Sequence, residues 1–355
     1  MRSVVLVENG RFTVGQRPDT RPASDECLIR IHAAGICSSD VPRAFGRGAY
    51  SYPLVMGHEL AGTVEACGSD VAAFRTGDRV TVFPLLPCFQ CDACAREAYA
   101  QCRSYSYYGS RRDGGFAERL CVKAWNLLKV PDSVSLDDAA LTEPTAVIVH
   151  ALGRLGLLVG LPAGELCILG SGFLGLIAVQ ALRTLNPALK VTVVDRNGWK
   201  LARAAEQGAA TVELKTEADW NDFSISHNAR FPLVLEAAGA PETFAHTLKL
   251  AAPSGRVAWM GNISGDLHLP QKDVSAVLRK ELTIVGCWNS EYHGDKASDW
   301  TRTLDLMANG LKPSTLVNLE VDLDGLPDAI ARLDAHKRRI TDARLIKVLV
   351  RPNGL

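Results

Sequence analysis

The sequence predicts an α/β protein, with a β-rich, barrel-like part joined to a doubly wound parallel-sheet part. The 355 residues exceed what one hydrophobic core usually serves, because cores stop growing at roughly 250–300 residues. From Val4 to about residue 130, short Val/Ile/Leu runs alternate with Gly, Pro and Asp, the rhythm of short strands and frequent turns. After Asp137 the runs read as buried strands separated by stretches of helical periodicity, and that alternation means a parallel sheet.

In the first part, residues 27–31, 62–66 and 78–82 read as strands. In the second, 166–169, 191–194, 233–235, 257–260 and 282–285 do so. Between the first two of these, Leu174, Ile177, Ala178, Ala181, Leu182 and Leu185 form one apolar helical face. Beyond Gly286 the alternation weakens, and 345–350 is again strand-like, so the chain is expected to return to its first part. The expected domains are therefore 1–148 with 290–355, and 149–289.

Lys+Arg and Asp+Glu number 39 each, which removes the main electrostatic reason to expect nucleic-acid or anionic-membrane binding. Residues 155–182 are the most apolar, but Pro162, Glu165 and several glycines interrupt the roughly 20 residues a membrane span needs. The apolar run after Met1 is too short for a signal-peptide core of about 7–15 residues. A cytoplasmic protein is expected, and its ten cysteines are then not expected to form a disulfide framework.

The strand at 166–169 runs into Gly170-Ser171-Gly172-Phe173-Leu174-Gly175, and the apolar helix follows at once. Alone, G-x-G-x-x-G is a weak signal; between a strand and a helix it reads as a dinucleotide-binding turn. Gly170 permits the tight turn, Gly172 lets a pyrophosphate approach the backbone, and Gly175 lets helix and strand pack closely. Phe173 and Leu174 open the helix, whose N-terminal N–H groups favour an anion. Asp195 ends the next strand twenty residues after Gly175, close to the roughly 20-residue offset of the carboxylate that meets the adenosine ribose. Such a carboxylate repels a 2′-phosphate, which predicts NAD over NADP. Arg196 beside it softens the preference, and Lys200 is either a ribose contact or a solvated helix charge.

Cys88, Cys91, Cys94 and Cys102 fall within fifteen residues. Four soft donors so close suit a closed tetrahedral Zn²⁺ that fixes a polar loop; with no open position, its role is structural. A redox dithiol or buried thiols would not need four. Cys37-Ser38-Ser39-Asp40, Gly57-His58-Glu59 and Glu143-Pro144 are scattered, and each has a plain structural explanation: a buried thiol, a satisfied core histidine, a carboxylate in a helix first turn.

Together they resemble something more. Gly57-His58-Glu59-x2-Gly62-x5-Gly68-x2-Val71 resembles, position for position, the zinc signature of the medium-chain alcohol dehydrogenases. Cys37, the four-cysteine loop, Glu143-Pro144 and the dinucleotide turn follow in that family's order over essentially the whole chain. The resemblance implies a GroES-like catalytic domain, a Rossmann coenzyme domain and two zinc ions per subunit. It also implies a homodimer or homotetramer. The catalytic zinc would be held by Cys37, His58 and Glu143, with Glu59 behind it or as an alternate ligand. Asp40 would orient His58, and Ser39 would hand on the alcohol proton; Pro42 stands where some relatives carry a relay histidine.

Glu-Pro at the third ligand position resembles the polyol-dehydrogenase branch. Asp40-Val41-Pro42-Arg43, Pro84-Leu85-Leu86-Pro87-Cys88-Phe89, Gly109-Ser110-Arg111-Arg112-Asp113-Gly114-Gly115-Phe116-Ala117-Glu118 and Arg279-Lys280-Glu281-Leu282-Thr283 are similar to members acting on a polyol phosphate. The implied reaction moves a hydride from a secondary alcohol of galactitol 1-phosphate, or a related polyol phosphate, to NAD and gives the ketose. An unphosphorylated polyol, a cyclitol or threonine is the alternative. A phosphate would want a guanidinium fork; Arg111, Arg112 and Arg43 are the candidates, each also readable as a solvated charge. Trp288 and Tyr52 are candidate apolar walls. Two readings from other classes, a zinc-ribbon nucleic-acid binder and a non-catalytic NAD sensor, are weaker. Zero net charge and the dinucleotide turn oppose the first, and turnover would exclude the second.

Overall fold

The computed structural model describes residues 1–158, 164–294, 296–338, 340 and 344–354, so Pro162 lies outside the described residues. The chain forms two compact units: residues 1–146, 291–308 and 312–355, and residues 147–290 with 309–311.

In the first unit the strand Glu26–Gly35 is the hub. It pairs antiparallel with Glu59–Cys67, Arg119–Lys123 and Lys347–Arg351. Beyond these, the sheet extends through Arg79–Val82 to Leu127–Lys129 on one side and to Val317–Asp322 on the other. Along the hub, Cys27, Ile29, Ile31 and Ala33 are buried while Arg30 and His32 are exposed, the two-residue alternation of a sheet with one face on the core. Ile29 and Ile31 share that core with Leu60, Val80, Tyr108 and Val350, and burying each large aliphatic side chain contributes about 1.5–3 kcal/mol. The hub runs four residues past the apolar 27–31 run. Ala33, Ala34 and Gly35 carry little strand signal of their own, but they pair with Ala61, Leu60 and Glu59. A smaller sheet joins Arg11–Gln16, Arg2–Glu8 and Leu54–Val55.

In the second unit six parallel strands lie in the order Ala210–Glu213, Lys190–Asp195, Glu165–Leu169, Phe231–Glu236, Ala251–Trp259, Thr283–Gly286. Numbered along this unit the order is 3-2-1-4-5-6, the doubly wound arrangement whose switch point lies between strands 1 and 4. The third of these has no counterpart in the sequence reading. Ala210-Thr211-Val212-Glu213 is a largely exposed edge strand, so it lacks the apolar run by which a buried strand is recognised. The helix Phe173–Leu185 buries the apolar face anticipated for it, including Ile177, Ala178, Ala181 and Leu182. Among the described residues no helix is long and apolar enough to cross a membrane.

Behind the sheet, His246 on the helix Pro241–Leu250 is buried, bonded to Ser224 Oγ at 2.7 Å and stacked on Trp220. Burial, with a smaller contribution from Lys249, pushes its pKa down to about 4. The unfolded chain, with an ordinary histidine near 6.5, therefore binds more protons than the fold between those values. Stability from this site is complete above about pH 6.5 and is lost as pH falls toward 4. Melting curves at pH 7.5 and 5.0 should show a smaller acid-induced drop in Tm for His246→Gln than for the unaltered protein. Equal drops would show that His246 does not set the dependence.

Candidate active site and metal centres

The register Gly35↔Glu59 sets the end of the hub strand, and hence the segment that follows it, beside the start of Glu59–Cys67. Cys37 lies in that segment, two residues before Ser39, which precedes the helix Asp40–Phe45. One donor atom each from Cys37, His58 and Glu59 lie within 4.8 Å of one another. Glu143, in the first turn of the helix Thr142–Arg154, is buried and stands outside that tight trio. Its Oε1 accepts a hydrogen bond from Tyr107 Oη at 3.1 Å, and the Tyr107 ring meets His58 edge-on at 5.8 Å.

The electrostatics of this cluster call for positive charge. Burial works against a charge on His58, but Asp40, Cys37 and Glu143 outweigh it and push its pKa up to about 10. Burial pushes Glu143 up, with His58 opposing and Glu59 adding. Burial and the same carboxylate hold Tyr107 well above its usual value, so it stays a phenol that can donate. Glu59 Oε1 is buried without a hydrogen-bond partner among the described residues, and His58 Nδ1 faces only Asp40 Oδ1, at 3.6 Å. A sulfur, an imidazole and carboxylate oxygens gathered at one place are the donor set that zinc takes. The residues present fit that ion.

Asp40 organises the cluster from behind. Its Oδ2 accepts from the Cys37 N–H at 3.0 Å and its Oδ1 from Arg43 Nη1 at 2.8 Å, and Oδ1 lies 3.6 Å from His58 Nδ1. This corrects the reading of Arg43 as a phosphate ligand: its guanidinium is committed to a fully buried carboxylate. Tyr52 Oη accepts from the Ala49 N–H at 3.1 Å and so braces its own loop. Trp288 belongs to the second unit and is 61% exposed.

The four-cysteine loop closes on itself. The sulfurs of Cys88 and Cys94, Cys91 and Cys94, and Cys91 and Cys102 lie 3.9, 3.6 and 4.0 Å apart. A tetrahedron with Zn–S bonds of about 2.3 Å has edges of about 3.8 Å, whereas a disulfide needs about 2.05 Å. Backbone N–H groups of Arg103 and Cys94 aim at Cys91 and push its pKa down to about 6; those of Gln90 and Cys91 lower Cys88. Burial pushes Cys94 up to about 12. Cys91 is thus readily ionised, and Cys94 needs a cation to become so.

In the second unit the turn has the space a dinucleotide requires. Gly170 has φ +109°, and a Cβ there would meet the backbone of Ala237 and Ala238 at 2.8–3.0 Å. A Cβ on Gly175 would strike the Gly170 carbonyl, while one on Gly172 would meet nothing within 4 Å. Two glycines are therefore required by packing, and the third faces open space. The helix begins at Phe173 and continues through Leu174, so the positive end of its dipole points at the turn. Asp195 accepts from the Ser171 N–H at 2.6 Å and the Asn197 N–H at 2.9 Å. Arg196 is exposed, and burial lowers the pKa of Lys200.

Two neighbours escaped the sequence reading. Tyr107 carries no motif. Lys347 did carry a signal, since it is a lone cation inside the apolar 345–350 run, and a buried charge needs a partner. It ion-pairs with Glu59 and donates to the Ile36 carbonyl at 3.0 Å. A Cβ at Gly35 would fall on Glu59 Oε2, so that glycine makes room for the pair.

Residues 23–132 match the family model described as "Alcohol dehydrogenase GroES-like domain", and residues 174–309 match "Zinc-binding dehydrogenase". Galactitol 1-phosphate 5-dehydrogenase of Escherichia coli K12 is 37% identical over 320 residues, covering 88% of this chain and 91% of that one. The crystal structure of galactitol-1-phosphate dehydrogenase from Escherichia coli superposes with a TM-score of 0.86 at 33% identity, covering 99% and 100% of the two chains. An alcohol dehydrogenase from Escherichia coli CFT073 complexed with NADH gives 0.85 at 27% identity, covering 99% of each.

If the four thiols hold a zinc ion, Cys91→Ser should lower the zinc content of purified protein by one ion per chain and reduce Tm, as metal-analysis and melting data would show. Unchanged metal content would remove the assignment.

Proposed function

Because the chain belongs to the zinc-binding alcohol dehydrogenase family, we propose that it oxidises a secondary hydroxyl of a sugar alcohol to the ketone, using Zn²⁺ and NAD. The observation that carries this reading is the cluster of half-buried Cys37 with buried His58 and Glu59, with Glu143 at its edge, in a chain that also has the dinucleotide turn. Zinc held by Cys37, His58 and Glu143, with Glu59 as alternate ligand, would supply Lewis acidity that eases loss of the alcohol proton, and NAD would take the hydride.

The chain's own residues do the rest. Ser39 Oγ, 3.3 Å from Cys37 Sγ, is the hydroxyl we assign to receive the proton. Pro42 offers no onward relay. Tyr107 holds Glu143 by donating its hydroxyl proton, and Lys347 balances Glu59. Asp40 keeps the His58 ring turned by facing its Nδ1. Asp195, fixed by two backbone N–H groups, presents the charge that disfavours a 2′-phosphate, and Arg196 and Lys200 flank it. A thiolate-bound structural zinc suits a reducing, cytoplasmic setting, and the edge strand Thr283–Gly286 supports a homo-oligomer.

Zinc-loaded protein given NAD and a panel of polyols, cyclitols and threonine should form NADH with a sugar alcohol or its phosphate. Cys37→Ser should lower kcat by about 10² to 10³ or more, the scale lost with an electrostatic stabiliser at a reacting oxygen, while NAD binding stays intact. Turnover of threonine alone, or unimpaired turnover by the variant, would overturn the assignment. For the coenzyme, kcat/KM should favour NAD over NADP. Asp195→Ala should narrow the ratio by about 10- to 100-fold, the worth of hydrogen bonds to a charged group; an unchanged ratio would exclude Asp195 as the selector.

A further inference from the structure

We infer that Arg111 is the anchor for a phosphate group on the substrate, held ready by two tyrosines at the end of an aromatic path that starts at the metal ligands. The inference rests on the polyol-dehydrogenase reading and adds the chemical class of the substrate's far end.

The guanidinium carbon of Arg111 lies 4.3 Å from the ring centroid of Tyr50 and 4.3 Å from that of Tyr105. Arg111 is exposed, and its side chain makes no hydrogen bond or ion pair among the described residues. A cation in contact with two rings is held in place, while its N–H groups keep no protein acceptor among the described residues. Such an edge, lacking a carboxylate, matches a phosphate through two parallel hydrogen bonds.

The other candidates are excluded by what they touch. Arg43 is spent on Asp40. Arg112 lies over Tyr108, a core residue whose hydroxyl accepts the Lys123 N–H. Tyr108 is packed into the hydrophobic core, whereas the rings beside Arg111 connect to Tyr107. From Tyr105 the next ring, Tyr107, is 6.2 Å away; Tyr107 is 5.8 Å from the His58 ring and bonded to Glu143. The anion anchor and the metal ligands are therefore linked by successive ring contacts within the first unit, an arrangement suited to an elongated polyol that is oxidised toward one end and phosphorylated at the other.

The test compares galactitol 1-phosphate with galactitol on the zinc-loaded protein and on Arg111→Gln and Arg111→Lys. Arg111→Gln should lower kcat/KM for the phosphorylated substrate by about 10- to 100-fold, mainly through KM, and leave that for the free polyol within about twofold. Arg111→Lys, which keeps the charge but not the fork, should fall between. Equal losses on both substrates, or no loss, would overturn the inference. Calorimetric titration of galactitol 1-phosphate into the same proteins reads the contrast without turnover. A tenfold or greater loss of affinity in Arg111→Gln supports the anchor even if the oxidation reading fails, and equal affinities reject it.

Discussion

Three carboxyl groups, those of Asp40, Glu59 and Glu143, are buried together with an imidazole beside the half-buried Cys37 thiol, and this arrangement is tolerable only if positive charge is brought in with them. Burying unpaired charge costs several kcal/mol per ion. Arg43 answers Asp40, and Lys347 answers Glu59. The remainder falls to His58, which holds a proton tightly in this surrounding, or to a divalent cation that displaces it. The same shortage of positive charge that makes the cluster awkward for the fold suits it to a metal ion.

The four-cysteine loop follows a different rule. There the backbone acts first, since N–H groups directed at Cys88 and Cys91 favour their thiolates before any ion arrives. The loop offers little apolar surface, apart from Phe89 and Tyr99 against Trp125, so the metal takes the place of a core. One centre is thus shaped by burial and counter-charge, the other by local hydrogen bonding.

Much of this was legible in the sequence. The dinucleotide turn was, because Gly170 and Gly175 are imposed by close backbone approach, a constraint local enough to leave a motif. The four cysteines were, because their short spacing itself gathers four sulfurs. The second cluster was legible only through the family pattern, since Cys37, His58 and Glu143 come from three separate segments. The order of nearness was not legible: Glu59, not Glu143, is grouped with Cys37 and His58, and Lys347 and Tyr107 decide how each carboxylate is held. The strand Ala210–Glu213 was missed for the converse reason, its exposure leaving no apolar pattern.

Lys347 lies in a strand inserted between Glu26–Gly35 and Val317–Asp322, nearly three hundred residues after the carboxylate it neutralises. A ribosome therefore delivers Glu59 long before its counter-ion exists. During synthesis Glu59 is without this partner until the whole parallel-sheet unit has emerged. Contacts so distant along the chain form slowly, and the finished pocket marks the end of assembly rather than its beginning.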